Sequence, residues 1–242
     1  GLYATTVLMS IGFHYFETIN NSLTLQWLNK SDTPKIMGKL ISYRSFAALS
    51  VYGLIWGMVT LFELPFKWMY LIIGSVGFAL LLWIVSQHKK IPEHTSQHKR
   101  LILRKRYWLY YLLTFLSGAR RQVFIVFAGF LMVEKFGYEA SDIALLFIAN
   151  HVLNLYIAPK IGAWIGTVGE RKALTIEYVG LILVFVGYGL VEDHRIAAGL
   201  YLIDHMFFAM AIAIKTYFQK IADPADIAAS SGVSFTINHI AA

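Results

Sequence analysis

No cysteine occurs in the chain, which excludes a disulfide framework and any thiol-ligated metal site. Charge is scarce too. Asp, Glu, Lys and Arg make up 14% of the 242 residues, against about 25% in soluble domains, too few to keep a whole surface wet. The stretches Ser45–Phe62 and Trp68–His88 hold no Asp, Glu, Lys or Arg, and Ile143–Pro159 has one histidine but no charged residue. What fills the space is apolar: 57% of residues are hydrophobic and the mean hydropathy is +0.59. A bilayer core needs about 20 apolar helical residues, and these runs meet that length or nearly so. Gly, Ala and Ser within them allow close helix packing. The fold class is all-α, a polytopic transmembrane bundle.

Eight membrane segments are expected, at roughly 2–28, 36–61, 66–88, 106–133, 141–160, 172–191, 196–218 and from 227 onward. The chain opens at GLYATTVLMS and stops inside the apolar run NHIAA, so both ends read as cut from a longer protein. The net charge of +7 has a topological reading rather than one of nucleic-acid binding, because basic residues gather on the cytoplasmic side. The one long polar stretch, QHKKIPEHTSQHKRLILRKR, carries Lys89, Lys90, Lys99, Arg100, Arg104, Lys105 and Arg106 against Glu93. It is expected to be cytoplasmic. Alternating sides from there puts fourteen basic residues inside and three (Lys67, Lys135 and Arg195) outside.

A faint internal repeat pairs LQWLNKSDTPKIMGKLISYRSFAA (25–48) with YFQKIADPADIAASSGVSFTINHIAA (217–242). Each is a helix end, a short Asp/Pro loop and a small-residue helix. Weak symmetry of this kind marks transporters built from repeated halves. The basic linker, this repeat, and the stretch GAWIGTVGERKA (162–173) together resemble the major facilitator superfamily. In that stretch Gly162, Gly169, Arg171 and Lys172 match the family's cytoplasmic loop pattern G-x-x-x-D-R-x-G-R-R, while Gly166 stands where the family has aspartate. YGLIWGM (52–58) lacks the proline of the family's drug-antiporter signature.

The resemblance implies a partial two-half architecture covering helices four to ten and the start of eleven. Residues 1–88 would close the first half, 89–105 form the cytoplasmic linker and 106–242 open the second. It further implies a monomeric secondary transporter in a bacterial inner membrane, with a small solute and a proton as its partners and no cofactor.

Between Tyr107 and Val133 the only charges are Arg120 and Arg121. They lie about 21 Å into their segment at 1.5 Å per residue, and a charge at mid-bilayer costs about 2.5–3.5 kcal/mol on the insertion scale. Adjacent residues on a helix point about 100° apart. The expectation is therefore that one arginine faces a cavity and the other pairs with an acid or a helix end. Segment 2–28 offers His14, Glu17, Asn20 and Asn21, and segment 196–218 offers Asp204, His205 and Lys215. By the resemblance, these two helices and the arginine helix line the central pathway. Arg120, Arg121, His14, Asn21 and His205 are candidate substrate ligands. Glu17 and Asp204 read equally as proton carriers or as permanent partners of the arginines. Asn150, Asn154 and Asn238 read as interhelical glue.

A membrane enzyme acting on lipid is the rival class. It would need reactive groups clustered at one face, whereas HTSQH (94–98) gives a single histidine pair with no second box, so no metal is expected. A receptor or passive facilitator would share the layout of a coupled carrier.

Overall fold

The computed structural model describes residues 2–86 and 95–241, and among them every regular element is helical. Eight rods follow one another: α1 (Leu2–Trp27), α2 (Thr33–Thr60), α3 (Phe66–Ser86), α4 (Lys105–Glu134), α5 (Ala140–Val168), α6 (Glu170–Leu190), α7 (His194–Ile221) and α8 (Ile227–Ile240). Five of them, α3 to α7, are long and apolar enough to cross a membrane. Large apolar side chains such as Trp56, Tyr70, Trp83 and Phe127 point outward, which in a spanning helix is the lipid-facing surface. The bundle is that of an integral membrane protein.

Local chemistry sets the ends. At α5, Glu139 and Asp142 form a reciprocal capping box, with the Glu139 amide donating to Asp142 Oδ2 at 2.9 Å, so orphan amides of the first turn are satisfied. Asp193 caps α7 by accepting from the amides of Arg195 and Ile196. α5 runs further than the sequence pattern suggested. The loop expected at 162–173 shrinks to Gly169 alone, whose φ of 83° suits glycine and breaks the rod. The intervening AWIGTV is apolar and simply continues the helix.

The tightest helix contact is α2 on α5, made through glycines. A Cβ on Gly38 would lie 2.5 Å from the Ala158 carbonyl, and one on Gly162 would strike the Pro34 carbonyl. Pro159 lies inside α5 and has no amide hydrogen to give the carbonyl four residues back. That carbonyl, of Leu155, instead accepts the Ser42 hydroxyl of α2 at 2.6 Å. The proline thus frees an acceptor for the neighbouring helix. By contrast α3 has one buried residue, Met69.

Two apolar clusters are threaded by α4. One centres on Tyr107, Tyr110, Tyr111, Ile214 and Phe218, the other on Phe124, Met132, Val184, Tyr188 and Tyr201. Between them sit Arg120 and Arg121, just before a π-helical stretch at Val123–Ala128, a distortion often found at functional sites.

Candidate functional site

A cavity of about 220 Å3 lies between α1, α4, α7 and α8. Its charged wall is Glu17 from α1, Arg121 from α4 and Lys215 from α7; Asn21, Ser117, Ser231 and Asn238 add polar groups. A second lobe of about 150 Å3 shares Glu17, Asn21, Phe208, Ala211 and Lys215 with the first and reaches Arg44 on α2. Three basic side chains therefore share the space with one acid. Asn21 Oδ1 and Ser231 Oγ are buried without a protein partner, leaving hydrogen-bonding capacity beside the space. Asn238 is tied by its amide to the Thr114 carbonyl at 3.2 Å, which holds α8 against α4.

Arg120 has a different environment. Its Nη1 donates to Glu177 Oε1 at 3.0 Å, and its Nη2 donates to the Asp204 carbonyl at 2.8 Å and to Asp204 Oδ1 at 3.4 Å. The Phe208 ring covers the guanidinium with its centroid 4.2 Å away, a cation–π contact. Arg120 is 7% exposed, Glu177 2% and Asp204 0%. The two arginines thus part as their helical spacing demands. Arg121 meets the cavity, and Arg120 is held by α6 and α7.

Of the other candidates, Glu17 and Asn21 line the space, while His14 and His205 are among aromatics. The His14 ring packs on Phe235 and His239 of α8 at 5.1 and 4.7 Å, and the His205 ring packs on Phe124 and Phe208 at 5.5 and 5.4 Å. Gly162 is a helix-contact residue, Gly169 is the break between α5 and α6, and Arg171 and Lys172 are exposed in the first turn of α6. Sequence reasoning passed over Glu177. It stands only seven residues after the α6 start, about 10 Å along the helix, and reads there as an end group. Its one signal was being the last charged residue of α6, a full turn beyond the charged start Glu170–Lys172.

The end nearest the linker is tied together by side-chain contacts. Gln219, buried on α7, donates to the carbonyls of Leu25 and Leu28 at 2.8 and 2.9 Å, satisfying the orphan C-terminal carbonyls of α1. Lys220 Nζ pairs with Glu170 at 2.7 Å. Alongside, Asp226 before α8 accepts from Nε and Nη2 of Arg104, each at 3.0 Å, from Arg106 at 3.2 Å and from the Tyr107 hydroxyl at 2.9 Å. Its hydrogen bond from Arg104 holds the Asp226 carboxyl below the usual carboxylate range. His98 of the expected histidine pair lies 3.5 Å from the same carboxylate. His94, with Lys89, Lys90 and Glu93, lies outside the described residues.

The family model of the Major Facilitator Superfamily matches residues 1–242. No curated protein matches the chain, and no solved structure does.

Proposed function

Since the chain belongs to the Major Facilitator Superfamily, whose members carry small solutes across membranes, we propose that it moves a small anionic solute by proton-coupled alternating access. The observation that carries this reading is the charge of the cavity wall, where Arg121 and Lys215 face Glu17 and Arg44 stands in the adjoining lobe. In a poorly solvated site, charge-assisted bonds from a planar guanidinium favour a carboxylate or phosphate oxygen. The modest volume suits a small solute. Asn21 and Ser231 add hydrogen bonds to its polar edge, and Glu17, beside Lys215, takes the role of a group whose charge changes as the site loads.

Movement follows from the architecture. We read 1–88 and 106–242 as parts of two halves that rock about this midplane site, with the linker on the cytoplasmic side of a bacterial inner membrane and the chain working as a monomer. Gln219 must let go of α1 for the linker end to open, and the α2–α5 glycine contact lets those helices slide at close range.

The test is flux. The intact protein, reconstituted in liposomes, is offered a panel of organic anions and neutral solutes with and without an inward proton gradient. Gradient-driven uptake confined to anions, and lost in Arg121→Gln with the protein still folded, is the expected result. Uptake of neutral solutes alone, or anion uptake indifferent to Arg121, removes the anion reading. Anion uptake that ignores the gradient leaves a facilitator in its place.

A further inference from the structure

Where α4, α6 and α7 meet, two carboxylates share one guanidinium. Arg120 reaches Glu177 with one arm and Asp204 with the other. Both acids are essentially sealed from solvent, and each has an oxygen, Glu177 Oε2 and Asp204 Oδ2, that is buried without a hydrogen-bond partner. Among the described residues, no second Lys or Arg forms an ion pair with either acid. The titratable groups facing them are Tyr178 and Tyr188 of α6, Tyr201 and His205 of α7 and, beyond His205, His151 of α5. The tyrosines supply no positive charge, and a charged His205 would stand against Arg120 itself.

The count decides the matter. With both acids ionised the cluster carries one negative charge in excess, and an unpaired buried charge costs several kcal/mol. One proton brings it to neutrality and turns one unpartnered oxygen into an O–H donor. We propose that Glu177, Arg120 and Asp204 form a one-proton store, with the proton on Glu177 or Asp204. This adds a coupling site to the proton-coupled reading above, apart from Glu17 at the solute, and rests on that reading only for its use in transport. Glu177 becomes a coupling residue that the sequence did not offer.

The store communicates with the cavity through Phe208. One face of that ring lies on the Arg120 guanidinium, the side chain lines both lobes of the cavity, and the residue begins the 3-10 stretch Phe208–Ala211 that interrupts α7. Arg121, the next residue along α4, meets the solute. Protonating either acid weakens the hold of Arg120 on that acid's helix, so α6 or α7 is freed to shift while the cavity changes shape.

The experiment is infrared difference spectroscopy of the purified intact protein, titrated from acid to alkaline, reading the carbonyl stretch of protonated carboxyls. Wild type is expected to show one such group per chain that loses its proton as pH rises. Glu177→Gln leaves a neutral Arg120–Asp204 pair and should abolish the signal; Asp204→Asn should do the same from the other side and serves if Glu177→Gln does not fold. Arg120→Gln leaves two acids without a cation and should about double it. Absence of the signal in wild type, its survival in both amide variants, or its loss in Glu17→Gln alone would overturn the proposal. The signal present in wild type and lost in Glu177→Gln supports the store even where uptake ignores the proton gradient, an outcome that removes only the coupled-transport reading.

Discussion

Arg120 and Arg121 are neighbours on one helix, yet their surroundings have little in common. Around Arg120 the protein supplies two acids, a backbone carbonyl and an aromatic ring, and the guanidinium is sealed. Around Arg121 lie a cavity, a second cation in Lys215 and a few small polar side chains. A step of about 100° on the helix divides a charge satisfied by the protein from a charge left for something else. Charges inside a membrane protein are expensive. Arg120 is neutralised from within by the protein, whereas half-buried Arg121 lines the cavity, where the proposed anionic solute would meet it.

The largest effect should come from breaking the sealed side. Arg120→Met leaves Glu177 and Asp204 buried without their cation, and loss of one partner from such a cluster costs roughly 3–5 kcal/mol. Thermal unfolding in detergent should show a large fall in midpoint, while Arg121→Met, at the cavity wall, should stay within about 1 kcal/mol of wild type. Equal falls in the two variants would erase the comparison.

Next in size is the contact that holds α2 against α5, beside the second lobe of the cavity. Gly162→Val places side-chain atoms against the Pro34 carbonyl and should cost about 1–3 kcal/mol by overpacking. The same thermal assay checks it, and an unchanged midpoint would mean that α2 and α5 do not approach as closely as described.

Gln219→Leu tests the tie between α7 and the end of α1. It strips the Leu25 and Leu28 carbonyls of their donors, worth roughly 1–3 kcal/mol for buried acceptors left unpaired. Because the chain has no cysteine, a single Ser22→Cys reporter on α1 can be labelled cleanly. Its labelling should quicken in Gln219→Leu as the linker end loosens. A constant rate would deny Gln219 a part in closing that end.

The smallest effect concerns Asp226. Its native carboxyl sits below the ordinary range because Arg104 donates to it, so the clamp is at full strength above about pH 4 and weakens as pH falls through the depressed native value. Hydrogen exchange at the His98 amide, bonded to the Ala225 carbonyl at 3.1 Å, should accelerate in acid beyond the intrinsic rate. Asp226→Asn should show fast exchange throughout. Protection at His98 that is independent of Asp226 would contradict this.

Much of this was legible in the residues. Eight segments were expected to span. All eight are helical, but among the described residues only five, α3 to α7, are long and apolar enough to cross a bilayer, because α1, α2 and α8 dilute their apolar runs with polar and charged residues or stop short. The depth of Arg120 and Arg121, and the impossibility of both facing one spot, followed from helix geometry, whereas Glu17 and Asn21 on α1 were picked as polar groups in an apolar segment that the family resemblance puts on the pathway. Other features were hidden for physical reasons. A glycine-rich match to a loop pattern drew attention away from the apolar AWIGTV stretch, which carries α5 on to Val168 with Gly162 packed against α2. Glu177 lay too near its helix start to look buried, and only the reach of Arg120 from a third helix draws it in. Phe208, one of 17 phenylalanines, is singled out by position alone.

The most direct measurement is anion binding to purified Arg121→Gln, read beside its thermal stability. For an anion taken up by wild type, affinity should fall by about ten- to a hundredfold, the worth of a charge-assisted bond of roughly 1.5–3 kcal/mol, with the unfolding midpoint held. Undiminished affinity, or a collapse of the midpoint like that of Arg120→Met, would show that Arg121 is bound up in the protein's own structure and not in what it carries.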